Sequence, residues 1–262
     1  MKSANIAVIS SMLLAFNIPV VLSAGPYAGA VGTSTTTAIY KDSEEFVEWA
    51  SSVVEYDAGD NVSSSWQTLS NALGEAQGTS YNILCLGDGG SVILTFDEAI
   101  CDGDGYDFAV FENAFNNTYL ELAYVEVSSD GVHWVRFPNV SLTESAVGAY
   151  GSVDCTNIDG LAGKYKQGYG TPFDLSDLEG VDGSEYLDFD NIVYVKIVDI
   201  VGDGTYYDSE GNVIYDPYAT SGSSNGFDLD AVGVIHCVPE PASIAFFAGI
   251  AALGFVLRRR KA

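Results

Sequence analysis

Positive charge and histidine are the scarcest chemistry in this 262-residue chain, with ten Lys plus Arg against 36 Asp plus Glu and two histidines. His133 follows a turn beside Trp134 and His236 stands next to Cys237, so neither belongs to a pattern for a catalytic triad or a three-histidine metal centre. No His-Glu-x-x-His and no Cys-x-x-Cys occurs, which removes the sequence signs of a zinc protease and of a structural zinc site. A net charge of −26 repels phosphate backbones and anionic lipid, which argues against nucleic acid as a partner. No Pro/Ser-rich linker divides residues 25–237, so one all-β domain is expected there.

What is present is enough for a core. Apolar residues make up 47% of the chain and aromatics 12%, far above an acidic solvating tail.

Both ends read as processing segments. Lys2, the apolar stretch 6–22 and the small residues Ser23-Ala24-Gly25 form a secretory signal peptide, assigned to residues 1–24 and implying export through the Sec translocon. At the other end Pro239-Glu240-Pro241 leads into an apolar run over 242–257 and then Arg258-Arg259-Arg260-Lys261. Sixteen residues (242 to 257) is short of the ~20 that cross a ~30 Å hydrocarbon core, so the run reads as a marginal transmembrane helix held by cations on the cytoplasmic side. This three-part tail resembles the PEP-CTERM sorting signal of exopolysaccharide-producing Gram-negative bacteria. The resemblance implies recognition by an exosortase, a transient inner-membrane anchor, and delivery to the cell envelope, outer surface or extracellular matrix. Setting the ends aside but counting Glu240 with the body leaves five cations against all 36 acids, 5 − 36 = −31, facing a compartment where calcium is the available counter-ion.

Within the body, Asp42 and Glu45 have capping-box spacing before Phe46, Trp49, Ala50 and Val53, which predicts a helix; a second short helical turn is expected over Trp66, Leu69 and Leu73, ended by Gly74. Strands are expected over 81–86, 91–96, 108–111, 122–127, 132–137, 192–200 and 227–236, with Ser129-Asp130-Gly131 as a tight hairpin turn. The expectation is a mainly β antiparallel sandwich with one or two short helices. Two long loop regions, 140–190 and 201–226, are candidates for function.

Asn71-Ala72-Leu73-Gly74, Leu86-Gly87-Asp88-Gly89-Gly90-Ser91, Asp107-Phe108-Ala109-Val110-Phe111-Glu112-Asn113, Val125-Glu126-Val127-Ser128-Ser129-Asp130-Gly131 and Gly226-Phe227-Asp228-Leu229-Asp230-Ala231-Val232 resemble blocks of exported bacterial cell-surface proteins. The hairpin and final-strand blocks are similar to those of discoidin-like, galactose-binding-like jelly rolls. That resemblance implies a carbohydrate-binding or adhesive ancestry, and a structural calcium joining an early loop to Asp230.

Three sets of residues carry candidate chemistry. Asp102, Asp104 and Asp107 alternate on a Gly-rich turn ahead of Glu112, and Asp228 and Asp230 share a face of the last strand; both suit Ca²⁺, which takes six to eight oxygens. Tyr165 and Tyr169, beside Lys164 and Lys166, and Trp134 are candidates for stacking on a surface glycan or exopolysaccharide, against the plainer role of pinning loops to the core. Cys85, Cys101, Cys155 and Cys237 are an even set in an oxidising compartment. Pairing Cys85 with Cys101 would close a loop of about 15 residues, stabilising by ~3 kcal/mol in the chain-entropy model, and would leave Cys155 for Cys237; buried free thiols are the alternative. No catalytic residue is assigned. The expected function is a non-catalytic adhesive or carbohydrate-binding surface protein stabilised by calcium, with a biofilm or envelope structural protein as one alternative and a glycan hydrolase using Glu112 or Glu126 as another.

Overall fold

A computed structural model describes residues 24–237. The signal peptide but for Ala24, the sorting residues Pro239, Glu240, Pro241, Arg258, Arg259 and Arg260, and the apolar run 242–257 lie outside the described residues. Among those described, no helix is long and apolar enough to cross a membrane.

The strands are β1 (Ile39–Tyr40), β2 (Glu48–Trp49), β3 (Ser52–Asp57), β4 (Leu84–Cys85), β5 (Ser91–Ile100), β6 (Phe108–Glu112), β7 (Ala123–Ser128), β8 (Val135–Arg136), β9 (Val140–Ser141), β10 (Ile158–Asp159), β11 (Tyr169–Phe173), β12 (Ile192–Asp199) and β13 (Asp228–Val234). One sheet runs β1-β11-β6-β13-β2, with β4 also on β13; a second runs β3-β5-β12-β7-β8; β9 and β10 form a ribbon. Every pairing is antiparallel, and four are nested in chain order: β2 with β13, β5 with β12, β6 with β11, β7 with β8.

Alternation builds the shared core. On β5 the residues Val92, Leu94 and Phe96 turn inward while Ser91, Ile93 and Thr95 do not, and they meet Val195 and Ile197 of β12, Val125 and Val127 of β7, and Phe108, Val110, Val232 and Val234 of the facing sheet. Strands β6 and β7 are buried on both faces because something covers their outer sides as well. Outside β6, Phe111 packs against Phe46 and Trp49, ring centroids 5.5 Å from each. Outside β7, Tyr124 joins a second cluster with Leu120, just before the strand, and with Ile158 and Ile214 from the long loop regions. The loops thus act as a third layer over the second sheet.

Several expectations need correction. The segment from Asp42 is no helix: Val47 N and Ala50 N donate to Val234 O and Val232 O, and Ser51 N to Thr95 O. Phe46 and Trp49 sit on the Phe111 patch, and β3 follows at once. Tertiary burial of two rings against β6 and β13 outweighs a local cap whose helix would have buried only one face. The turn near Trp66 forms as two 3₁₀ segments, Ser64–Trp66 and Leu69–Ala72, and Gly74 follows with φ of +77°. The hairpin after β7 is wider than a two-residue turn, since Val127 pairs with Val135. Asp130 fills that loop by accepting from Val132 N and His133 N, both at 2.8 Å, while Gly131 adopts φ of +73°.

The four cysteines are free thiols. Cys85 pairs with Asp228 at the start of β13, whereas Cys101 N donates to His236 O beyond the other end of that strand, so the run of β13, about 20 Å for an extended strand of its length, lies between them. That separation is far beyond a disulfide's ~7 Å Cα limit. Cys85 is buried and donates to Asn225 O at 3.0 Å; Cys155 lies in the loop-side cluster, while Cys237 contacts Glu98 at 3.2 Å.

Candidate functional site

Strand β6 carries an acidic group at each end. Before it, Asp107 is fully buried and spreads its oxygens over three donors: Gly103 N at 2.8 Å and the His236 Nδ1 at 2.9 Å on Oδ1, and Leu175 N at 2.7 Å on Oδ2. Burial nevertheless pushes its carboxyl above the ordinary value, because desolvation outweighs the donors. Oxygens of Asp102, Asp107 and Asp174 lie within 4.8 Å of one another, and Asp102 Oδ1 is buried without a partner. Asp104 is exposed and stands apart from this group. Asp174 belongs to the distant loop after β11 and carries no local signal except its cap on Ser176 N at 3.0 Å.

At the far end of β6, Glu112 is 1% exposed; its Oε2 accepts from Ala114 N at 2.7 Å and its Oε1 has no partner. Asp228, first residue of β13, takes the Asn113 side-chain amide on Oδ2 at 3.2 Å and leaves Oδ1 without a partner. Asp216 is 2% exposed, accepts from Leu122 N at 2.8 Å on Oδ2, and likewise leaves Oδ1 unpartnered. Asp199 differs, since both its oxygens are used, by Phe227 N at 2.6 Å and Gly89 N at 2.8 Å. Gly226 approaches so closely, at φ of +78°, that a Cβ there would meet Asp199 Oδ1.

Asp88, Glu121, Asp199, Asp216 and Asp228 line a pocket of about 360 Å³, and among the described residues no Lys, Arg or His lines it. Phe115, Tyr119, Tyr150 and Tyr218 contribute aromatic walls. Desolvation comes first for Glu112, Glu121, Asp199, Asp216 and Asp228: it holds Glu112 well above the ordinary range with Asp228 second, and Glu121 likewise with Glu112, Asp228, Asp216 and Asp199 behind it. Asp199 and Asp228 are each pushed up to about 7, burial again dominating. Asp216 is raised well above its usual value by burial and then by Asp199. Such a cluster is stable at neutral pH only with protons or a cation among the carboxylates.

Of the residues singled out in the sequence, Asp102 joins Asp107, and Asp228 is reached by the side chain of Asn113, the neighbour of Glu112, at the opposite end of β6. Asp230 does reach an early loop, yet through amides: Gln77 N at 3.0 Å and Gly78 N at 2.7 Å occupy its two oxygens. Glu121, Asp199 and Asp216 were missed. The signal that marks them is an acid embedded among apolar residues, as in Leu120-Glu121-Leu122 and Val198-Asp199-Ile200.

The aromatic candidates divide. Tyr165 is 1% exposed with its hydroxyl 2.8 Å from Thr37 Oγ1, so it pins a loop and presents no face to a sugar. Tyr169 stacks obliquely on Tyr40 at 5.2 Å. Trp134 is half-buried, 6.2 Å from the Tyr194 ring with Lys196 over it. Glu126 is held by Arg136 at 2.6 Å and Lys196 at 3.6 Å. Gly222-Ser223-Ser224-Asn225-Gly226 on the pocket rim carries Gly-x-Ser-x-Gly spacing, but it is a loop leading into a strand, not the strand-to-helix turn of a nucleophile elbow.

The model of the PEP-CTERM protein-sorting motif matches residues 238–261. No curated protein matches the chain.

Proposed function

We propose that this chain is a non-catalytic surface or matrix protein whose β body binds carbohydrate, presented outside the cell after Sec export and exosortase processing of its tail. The sorting motif over 238–261 supports exosortase-dependent sorting of an exported, envelope-associated protein. The single observation favouring a binding role is the pocket of about 360 Å³ with tyrosine walls and carboxylate floor, the mixture of stacking faces and hydrogen-bond acceptors that a sugar ring requires. The apolar run 242–257 serves as the transient inner-membrane anchor in this scheme.

A galactose-binding-like jelly roll is the finer fold reading. The nesting of β2 with β13, β5 with β12, β6 with β11 and β7 with β8 supports it, because a long antiparallel hairpin rolled into two sheets pairs its strands in that order. Calcium enters as a stabilising ion at Asp102, Asp107 and Asp174, whose oxygen spacing suits a hard cation.

A glycan array probed with the purified chain tests the binding role. Saturable binding without product release is the expected result, weakened by Tyr119→Ala or Tyr218→Ala. Release of reducing ends would replace the reading with a hydrolase, and neither binding nor turnover with a structural coat protein.

A further inference from the structure

We propose that the basin at the C-terminal end of β6 is a divalent-cation site, of calcium type, held by Glu112, Glu121, Asp216 and Asp228 and separate from the Asp102 loop. Three of these side chains each leave one buried carboxylate oxygen with no partner among the described residues: Glu112 Oε1, Asp216 Oδ1 and Asp228 Oδ1. Glu112 and Asp216 are 1% and 2% exposed, so bulk water does not compensate them. Each uses its other oxygen on a neighbouring donor, Ala114 N, Leu122 N or the Asn113 amide, which fixes the carboxylate and leaves the second oxygen free for an ion. Among the described residues no cationic side chain lines the pocket that Glu121, Asp216 and Asp228 share. Charge neutralisation must therefore come from a ligand or from protons.

Size and spacing choose the kind of cation. Among the described residues, three-carboxylate groups with oxygens within 4.8 Å occur elsewhere, at Asp102/Asp107/Asp174, and not in the basin. A bare ion gripped by three acids does not match that spread. Ca²⁺ accepts six to eight oxygens, water and backbone carbonyl included, and a space of about 360 Å³ admits an ion with part of its water. Mg²⁺ with its tighter octahedron also keeps waters, and it is the competitor to compare. The inference does not depend on carbohydrate binding.

Terbium, a luminescent stand-in for Ca²⁺, provides the test, because Tyr119, Tyr150 and Tyr218 line the pocket and sensitise it on ultraviolet excitation. The purified full chain, stripped with chelator, is titrated with Tb³⁺ and back-titrated with Ca²⁺ and Mg²⁺. The expected result is saturable luminescence displaced by Ca²⁺ more readily than by Mg²⁺, and weakened by about tenfold or more in affinity by Asp216→Asn and by Glu121→Gln, with the exposed Glu55→Gln as control. Circular dichroism establishes that each variant is folded. Should Asp216→Asn fail to fold, Glu121→Gln carries the test, along with the calcium-dependent melting of the unaltered chain at fixed pH. Signal lost only in Asp102→Asn, signal indifferent to both basin variants, or melting unchanged by Ca²⁺ and chelator would overturn the proposal.

Discussion

Asp107 and Asp216 are both buried carboxylates, and the fold treats them oppositely. Asp107, just before β6, is surrounded by donors from three separate segments, the turn at Gly103, the 3₁₀ start at Leu175 and His236 after β13. Asp216, in the basin beyond the other end of β6, has one donor and an idle oxygen. The first acid is an organiser of loops; the second leaves capacity for a ligand. Acid density along the chain points the other way, since the Asp102–Asp107 turn is the more acidic stretch. What distinguishes a clamp from a site is the supply of donors, a property of packing.

Removing the clamp should produce the largest effect. Asp107→Ala would leave Gly103 N, Leu175 N and His236 without their buried acceptor, and the expected loss is about 3–5 kcal/mol, read from urea unfolding. A loss below about 1 kcal/mol would mean that the three segments are held by other contacts, and the contrast with Asp216 would fail.

The second prediction uses Asp199, which is clamped like Asp107 yet sits in the basin. Its carboxyl is raised from 3.8 to about 7 by burial, so the folded state binds the proton more tightly than the unfolded chain. Its contribution is therefore complete below about pH 4 and disappears as pH rises through 7, to the extent of roughly 4 kcal/mol at about 1.4 kcal/mol per unit. In chelator, melting temperature should fall between pH 5 and pH 8, and Asp199→Asn should flatten that slope. A slope unchanged in the variant would assign the pH dependence to the other basin acids.

The smallest effect belongs to neither region. Glu126 and Arg136 form an ion pair at 2.6 Å on the outer side of the second sheet, with the Arg136 side chain 43% exposed. Arg136→Ala should cost no more than about 1 kcal/mol. A greater loss in chemical denaturation would show that packing of the guanidinium on the Tyr124 ring, 3.9 Å from its centroid, matters more than the pair.

Much of the body was legible because alternation is a local signal. The cores of β5, β6, β7, β12 and β13 fall within the expected strands, since Val92, Leu94 and Phe96, for instance, repeat at the period of a strand. The segment around Phe46 and Trp49 was not legible, because its rings answer to Phe111, distant in the chain. The basin was half legible: Glu112 and Asp228 stand in recognisable blocks, whereas Glu121, Asp199 and Asp216 come from the lead into β7, the end of β12 and the loop before β13. Tyr165 illustrates the reverse, an aromatic that invites a sugar in sequence and is spent on Thr37 in the fold.

Taken alone, the chain determined its address and its class. A short motif read by a processing enzyme and a two-residue hydrophobic period are both contiguous, so they survive without a third dimension. Only the tertiary structure decided that the cysteines are free thiols, that Asp107 is met by three donors, and that Glu121, Asp199, Asp216 and Asp228 line one pocket with no cationic side chain among the described residues. Separation, donor supply and desolvation are relations between segments far apart in sequence, and they acquire values only when the sheets close over one another.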